Sequence, residues 1–151
     1  MRKKTTAILL LAAIVLAPSV MAGSSSAQMN VSVQVIARTI VTVDNQPASV
    51  DITAADVARG YIDLPQSVAF RVRSNAVNGY TMQFEPVGYP FAQAQVSWGS
   101  NMATVGADGT WLTRPYQQGT TLGNLNVRLT LAPGTTPGSY SWPVRFSAES
   151  L

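Results

Sequence analysis

Three aspartates, Asp51, Asp56 and Asp63, stand close together in sequence and carry the hard oxygen donors that calcium takes. The competing reading is a helix-capping acid and two solvated carboxylates, and Thr53-Ala54-Ala55-Asp56 has the form of such a cap. Paired carboxylates can also cleave glycosides, but the chain holds only seven acids, most of them in predicted loops or on exposed strand faces. There is no histidine and no cysteine, and the only lysines are Lys3 and Lys4. That composition removes the usual base near neutral pH, the thiolate nucleophile and the Ser–His and Ser–Lys arrangements. It equally removes nitrogen and sulfur ligands for zinc. The expectation is a protein that is not an enzyme, with no cofactor and no metal.

The residues with chemistry left to offer are apolar. Tyr89, Trp111 and Tyr116 lie near predicted turns, where an aromatic ring either stacks on a sugar or covers the end of a sheet. Asn30-Val31-Ser32 matches a glycosylation sequon, which has meaning only in a eukaryotic secretory route. The longest signal is Asn30 to Val43, NVSVQVIARTIVTV, in which every odd position is apolar or β-branched. Period two over that length predicts a β-strand with one buried face, about twice the usual length of roughly 5–6 residues.

Ahead of this strand, residues 1–22 read as a secretory signal. Arg2, Lys3 and Lys4 form a cationic start, and Ala7 to Ala17 is an unbroken apolar run ended by Pro18. The run is well short of the roughly 20 residues a spanning helix needs. Cleavage is expected after Ala22 or Ala27, leaving no membrane span and a secreted or surface location reached through the periplasm. Removing the leader takes away three of the ten basic residues, so seven arginines face seven acids. A neutral chain has no electrostatic footprint for nucleic acid.

What positions the remaining residues is a set of short strands. Val50 and Ile52 suggest a second strand, with a helical turn ending at Gly60 behind it, and Tyr61 to Leu64 extend as far as Pro65. Val68, Phe70 and Val72 alternate with polar residues, as do Tyr80, Met82 and Phe84, and Asn78-Gly79 between them predicts a hairpin. Ala94 to Trp98 and Thr110 to Leu112 are shorter candidates, separated by a loop. Leu125 to Leu131 and Tyr140 to Ala148 form a strictly alternating last pair, with Pro143 marking an edge. The expected fold is all-β, an immunoglobulin-like antiparallel sandwich of about 7–9 strands. Residues 23–37 are expected to be an extension or donor strand and 38–151 the sandwich.

With its leader, its NVSVQV ladder and its closing strand SYSWPVRFSAES, the chain resembles subunits of chaperone–usher pili and, in outline, spore coat U-like secreted proteins. That resemblance rests on the two ends of the chain. Many members of these families carry a cysteine near the start of the first strand, where this chain has Arg38-Thr39. The resemblance implies a sandwich lacking its last strand, completed by the N-terminal extension of another copy or sister subunit. It also implies a periplasmic chaperone and an outer-membrane usher as partners. Val31, Val33, Val35 and Ala37 are then the donor residues, and burying them yields roughly 5–9 kcal/mol gross. A second reading stays open beside it. In it, residues 30–43 form the first strand of a complete sandwich, switching sheets near Ala37-Arg38. In that case the protein is a secreted module that binds glycan or protein through its loops, with Tyr89, Trp111 and Tyr116 as candidates.

Overall fold

A computed structural model describes residues 29–151, so the predicted leader and both cleavage positions lie outside the described residues. Residues 29–34 belong to one unit and residues 35–151 to another. The larger unit is an antiparallel all-β sandwich.

Its strands are β1 (Thr39–Asn45), β2 (Ser49–Ile52), β3 (Tyr61–Ser74), β4 (Tyr80–Phe84) and β5 (Phe91–Trp98). They continue with β6 (Asn101–Val105), β7 (Thr110–Arg114), β8 (Thr120–Leu131), β9 (Gly138–Ser141) and β10 (Phe146–Ser150). A five-stranded sheet runs in the order β1-β3-β8-β5-β6, a three-stranded sheet β10-β4-β7, and β2 pairs with β9 alone. The inward faces meet in one core, with Val68, Phe70, Val96, Leu125 and Leu129 from the large sheet and Met82 and Phe84 from the small one. Phe70 anchors it, meeting the Trp98 ring edge-on at 4.9 Å and the Phe146 ring at 5.3 Å, a geometry favoured by aromatic quadrupoles.

The one helix among the described residues, α1 (Ala54–Arg59), has both halves of a capping box. Thr53 Oγ1 accepts from the Asp56 backbone N–H at 3.2 Å, and the Asp56 carboxylate accepts from the Thr53 N–H at 3.0 Å. Gly60 closes the helix in the left-handed conformation at φ 81°.

Several expectations need correcting. The predicted hairpin across Asn78-Gly79 is not one: β3 belongs to the large sheet and β4 to the small one, so residues 75–79 carry the chain between layers. The same holds for the last pair, since β8 pairs with β3 and β5 whereas β9 and β10 pair with β2 and β4. Alternation tells which face of a strand is buried; it does not tell which strand lies beside it. Tyr140 to Ala148 is two strands, with Pro143 in the break between β9 and β10. Pro65 does not end its strand either. β3 runs through it by a register shift between Leu64 and Val68, with Gln66 at φ 48°. β6 occupies what reads as loop, turning from β5 through Gly99 and Ser100, which brings the count to ten strands among the described residues.

Candidate functional site

The long N-terminal ladder divides at Thr39. From Thr39 onward it is β1, antiparallel to β3 from the Thr39–Ser74 pair to the Asn45–Ala69 pair. Residues 29–38 carry no strand, so the uninterrupted strand expected over 30–43 is corrected to Thr39–Asn45. Asn75 fixes the division. Its side-chain oxygen accepts from the Arg38 N–H, its side-chain amide donates to the Ile36 carbonyl at 3.0 Å, and its backbone N–H donates to the Arg38 carbonyl at 3.1 Å.

Ahead of that latch, Val31, Val33 and Val35 are 75%, 81% and 75% exposed, and Ala37 is exposed as well. All four predicted donor residues therefore sit in one stretch of chain outside the three sheets. An isolated exposed valine is ordinary; a contiguous run of them is a feature of interaction surfaces.

Within the larger unit, the corresponding feature is an open edge. β10 pairs with β4 on one side and, among the described residues, with no strand on the other. Its inward residues Phe146, Ala148 and Ser150 are only half-buried, whereas Trp142 and Val144 just before them are buried. β1 is the outer strand of the opposite sheet, and its inward residues Thr39 and Val41 are half-buried too. The two edges approach at one end, where Thr39 Oγ1 lies 2.9 Å from Ser150 Oγ and 2.8 Å from Ser74 Oγ. Val41, Phe146 and Ala148 thus pack on the core from the two outer strands while keeping part of their surface uncovered. Unpaired backbone groups beside incompletely covered apolar residues form a template for another strand.

The three loop aromatics are not brought together. Tyr89 is exposed, lies before the cis bond to Pro90, and lines a hollow of about 410 Å³ with Tyr140 and Trp142. Trp111 lies inside β7, not in a turn, and lines two other hollows. Tyr116 follows the end of β7 and is 40% exposed. The clustered aspartates serve separate partners. Asp56 caps α1, and its hydrogen bonds from Thr53, aided by Arg59, hold its carboxyl below the usual carboxylate range. Asp63 accepts two hydrogen bonds from Arg128, at 2.6 and 3.0 Å, and is likewise held low by that contact. Asp51 lies in β2 opposite Ser139.

Pro143 reads in sequence as marking an edge, and β10 is an outer strand of its sheet. What its alternating apolar residues did not reveal is that Phe146 and Ala148 are only half-buried, since burial depends on which strands lie beside them. No family model, curated protein or solved structure matches the chain. Among the described residues no helix is long and apolar enough to cross a membrane.

Proposed function

We propose that this protein is a secreted structural subunit of a surface fibre or coat. Each copy donates its N-terminal segment, with Val31, Val33, Val35 and Ala37 facing inward, to the open edge of β10 in the next copy or in a sister subunit. The observation that carries the reading is the match between two uncompleted parts of one chain. One is an exposed segment outside every sheet with an apolar residue at each odd position and Ile36 as the even exception; the other is an edge strand whose inward face is half covered.

The driving force is the burial of small apolar side chains on both partners, reinforced by backbone hydrogen bonds along the added strand. Donation within one copy would satisfy the same groups but would end growth; donation between copies extends it. A subunit with such an edge uncovered is an aggregation hazard. The proposal therefore includes a periplasmic chaperone that covers the edge before assembly and an outer-membrane usher that orders the exchange.

Deleting residues 23–37 tests it. The truncated protein should fold, stay unpolymerised and gain thermal stability when a peptide of residues 30–37 is added. Unfolding of the truncated chain, with no rescue by the peptide, would instead make the segment part of its own sandwich.

A further inference from the structure

The outer face of the three-stranded sheet carries a feature that assembly does not use. Antiparallel register sets Gln83 beside both Trp111 and Ser147, and Thr81 beside both Thr113 and Glu149. Residues directly opposite one another share a face. Tyr80, Met82 and Phe84 alternate with these residues and are buried, so this second face is the outward one. The result is a polar surface on which the Trp111 indole, 73% exposed, is the one aromatic group, with Leu151 lining the hollow beside it.

Trp111 stands between two hollows and lines both. One, of about 440 Å³, is shared with Thr81, Gln83 and Glu149; the other, of about 290 Å³, with Gln83, Asp108 and Ser147. Among the described residues, the side chains of Thr81, Gln83, Thr113, Ser147 and Glu149 make no intramolecular hydrogen bond, so their donors and acceptors face solvent uncommitted. No lysine or arginine lines either hollow, while Glu149 lines one and Glu85 and Asp108 the other.

We propose that this face is a saccharide-binding platform, taking a neutral oligosaccharide that lays one ring on Trp111 and places its neighbours in the two flanking hollows. The chemistry selects the ligand class. An exposed indole flanked by hydroxyl, amide and carboxylate groups suits a molecule with an apolar face and a rim of hydroxyls. The acidic lining repels anions, which removes phosphorylated and uronic acid sugars. Cationic ligands are held by several aromatic walls at once, whereas Trp111 is the one exposed ring here. The site differs from the loop surface expected from sequence, and it is independent of strand donation.

The three tryptophans make a direct test. Trp98 and Trp142 are 8% and 6% exposed, so acrylamide quenching of the full, export-processed protein reports chiefly on Trp111. Titration with short neutral oligosaccharides of the gluco-, manno-, galacto- and N-acetylglucosamine series is the probe. At least one series should shift the emission to the blue and protect it from quenching. Trp111→Ala should weaken retention of that series by roughly tenfold or more, and Trp111→Phe should restore part of it. Thermal stability and polymerisation should be unchanged in both. Three results would overturn the proposal: no series altering the emission, a response given by oligolysine and abolished by salt, or loss of polymerisation in Trp111→Ala, which would make the face a contact between copies.

Discussion

Thr39 Oγ1 sits 2.9 Å from Ser150 Oγ, joining the outer strand of the five-stranded sheet to the outer strand of the three-stranded one. The same hydroxyl lies 2.8 Å from Ser74 Oγ on β3. A side-chain hydroxyl both donates and accepts, so Thr39 can serve the two serines together. At this end the two outer strands meet by polar contact, while Val41, Phe146 and Ala148 further along them keep part of their surface uncovered. Thr39→Val keeps the shape and removes both bonds. It should lower stability by about 1 kcal/mol, because part-buried serine hydroxyls recover water when their partner goes. The urea midpoint of the processed protein, with an unchanged slope, reads this out.

Gly123 lies opposite Phe70 in the β3–β8 ladder, and a Cβ there would run into the Phe70 ring and come within 2.9 Å of Trp98. Neither ring can step aside, since Phe70 is buried and held edge-on to both Trp98 and Phe146. Gly123→Ala should therefore destabilise the protein by roughly 1–3 kcal/mol, the usual cost of overpacking. A fall in melting temperature together with altered near-ultraviolet circular dichroism would show that the aromatic cluster, not the strand alone, bears the change.

The capping box of α1 gives a prediction in pH. Asp56 and Asp63 both have carboxyls held below the ordinary 3.8, Asp56 by Thr53 and Asp63 by Arg128. A depressed folded pKa means that the unfolded chain takes up protons first. The stabilisation is thus fully present above about pH 3.8 and is lost as pH falls from there through the folded values. Asp56→Asn and Asp63→Asn should each flatten the acid limb of a stability–pH curve measured by urea unfolding between about pH 6 and pH 2. Thr53→Ala removes the other half of the box and should cost about 1 kcal/mol at neutral pH. An acid limb identical to the parent in both Asn variants would assign the acid sensitivity to other carboxylates.

How far the fold was legible follows from what each residue can report. Thr53, Asp56 and Gly60 announce α1 because capping is decided within one turn of chain. Phe70, Tyr80, Met82, Phe84, Leu125 and Leu129 announce the core because burial on one strand face leaves period two in the sequence. Partner choice leaves no such mark. Asn78-Gly79 can turn the chain within a sheet or between sheets, and the contacts made here, such as those of Asn75 to residues 36 and 38, lie far away in sequence. Likewise Pro65 reads as a strand end, but the β3–β8 ladder takes it up as a local shift in register. The half-burial of Phe146 and Ala148 was illegible for the same reason: they look like any core residues until their neighbours are known.

The proposed donor segment offers the sharpest test, because a strand donated in register distinguishes odd positions from even ones. Val33 should face inward against the acceptor core, while Gln34 should face solvent, since successive side chains alternate across a strand. Val33→Asp should abolish polymerisation: a carboxylate placed there would be desolvated with no partner among Val41, Phe146 and Ala148. Gln34→Asp should leave polymerisation intact. Val33→Ala removes two carbons and should weaken the complex between truncated protein and donor peptide by about 1.5 kcal/mol. None of the three substitutions should shift the melting temperature of the chaperone-bound subunit, where the proposed donor segment has yet to pack against an acceptor. Equal loss from Val33→Asp and Gln34→Asp would mean that the segment acts through its backbone or its net charge. The inward-facing ladder would then have no role in joining one copy to the next.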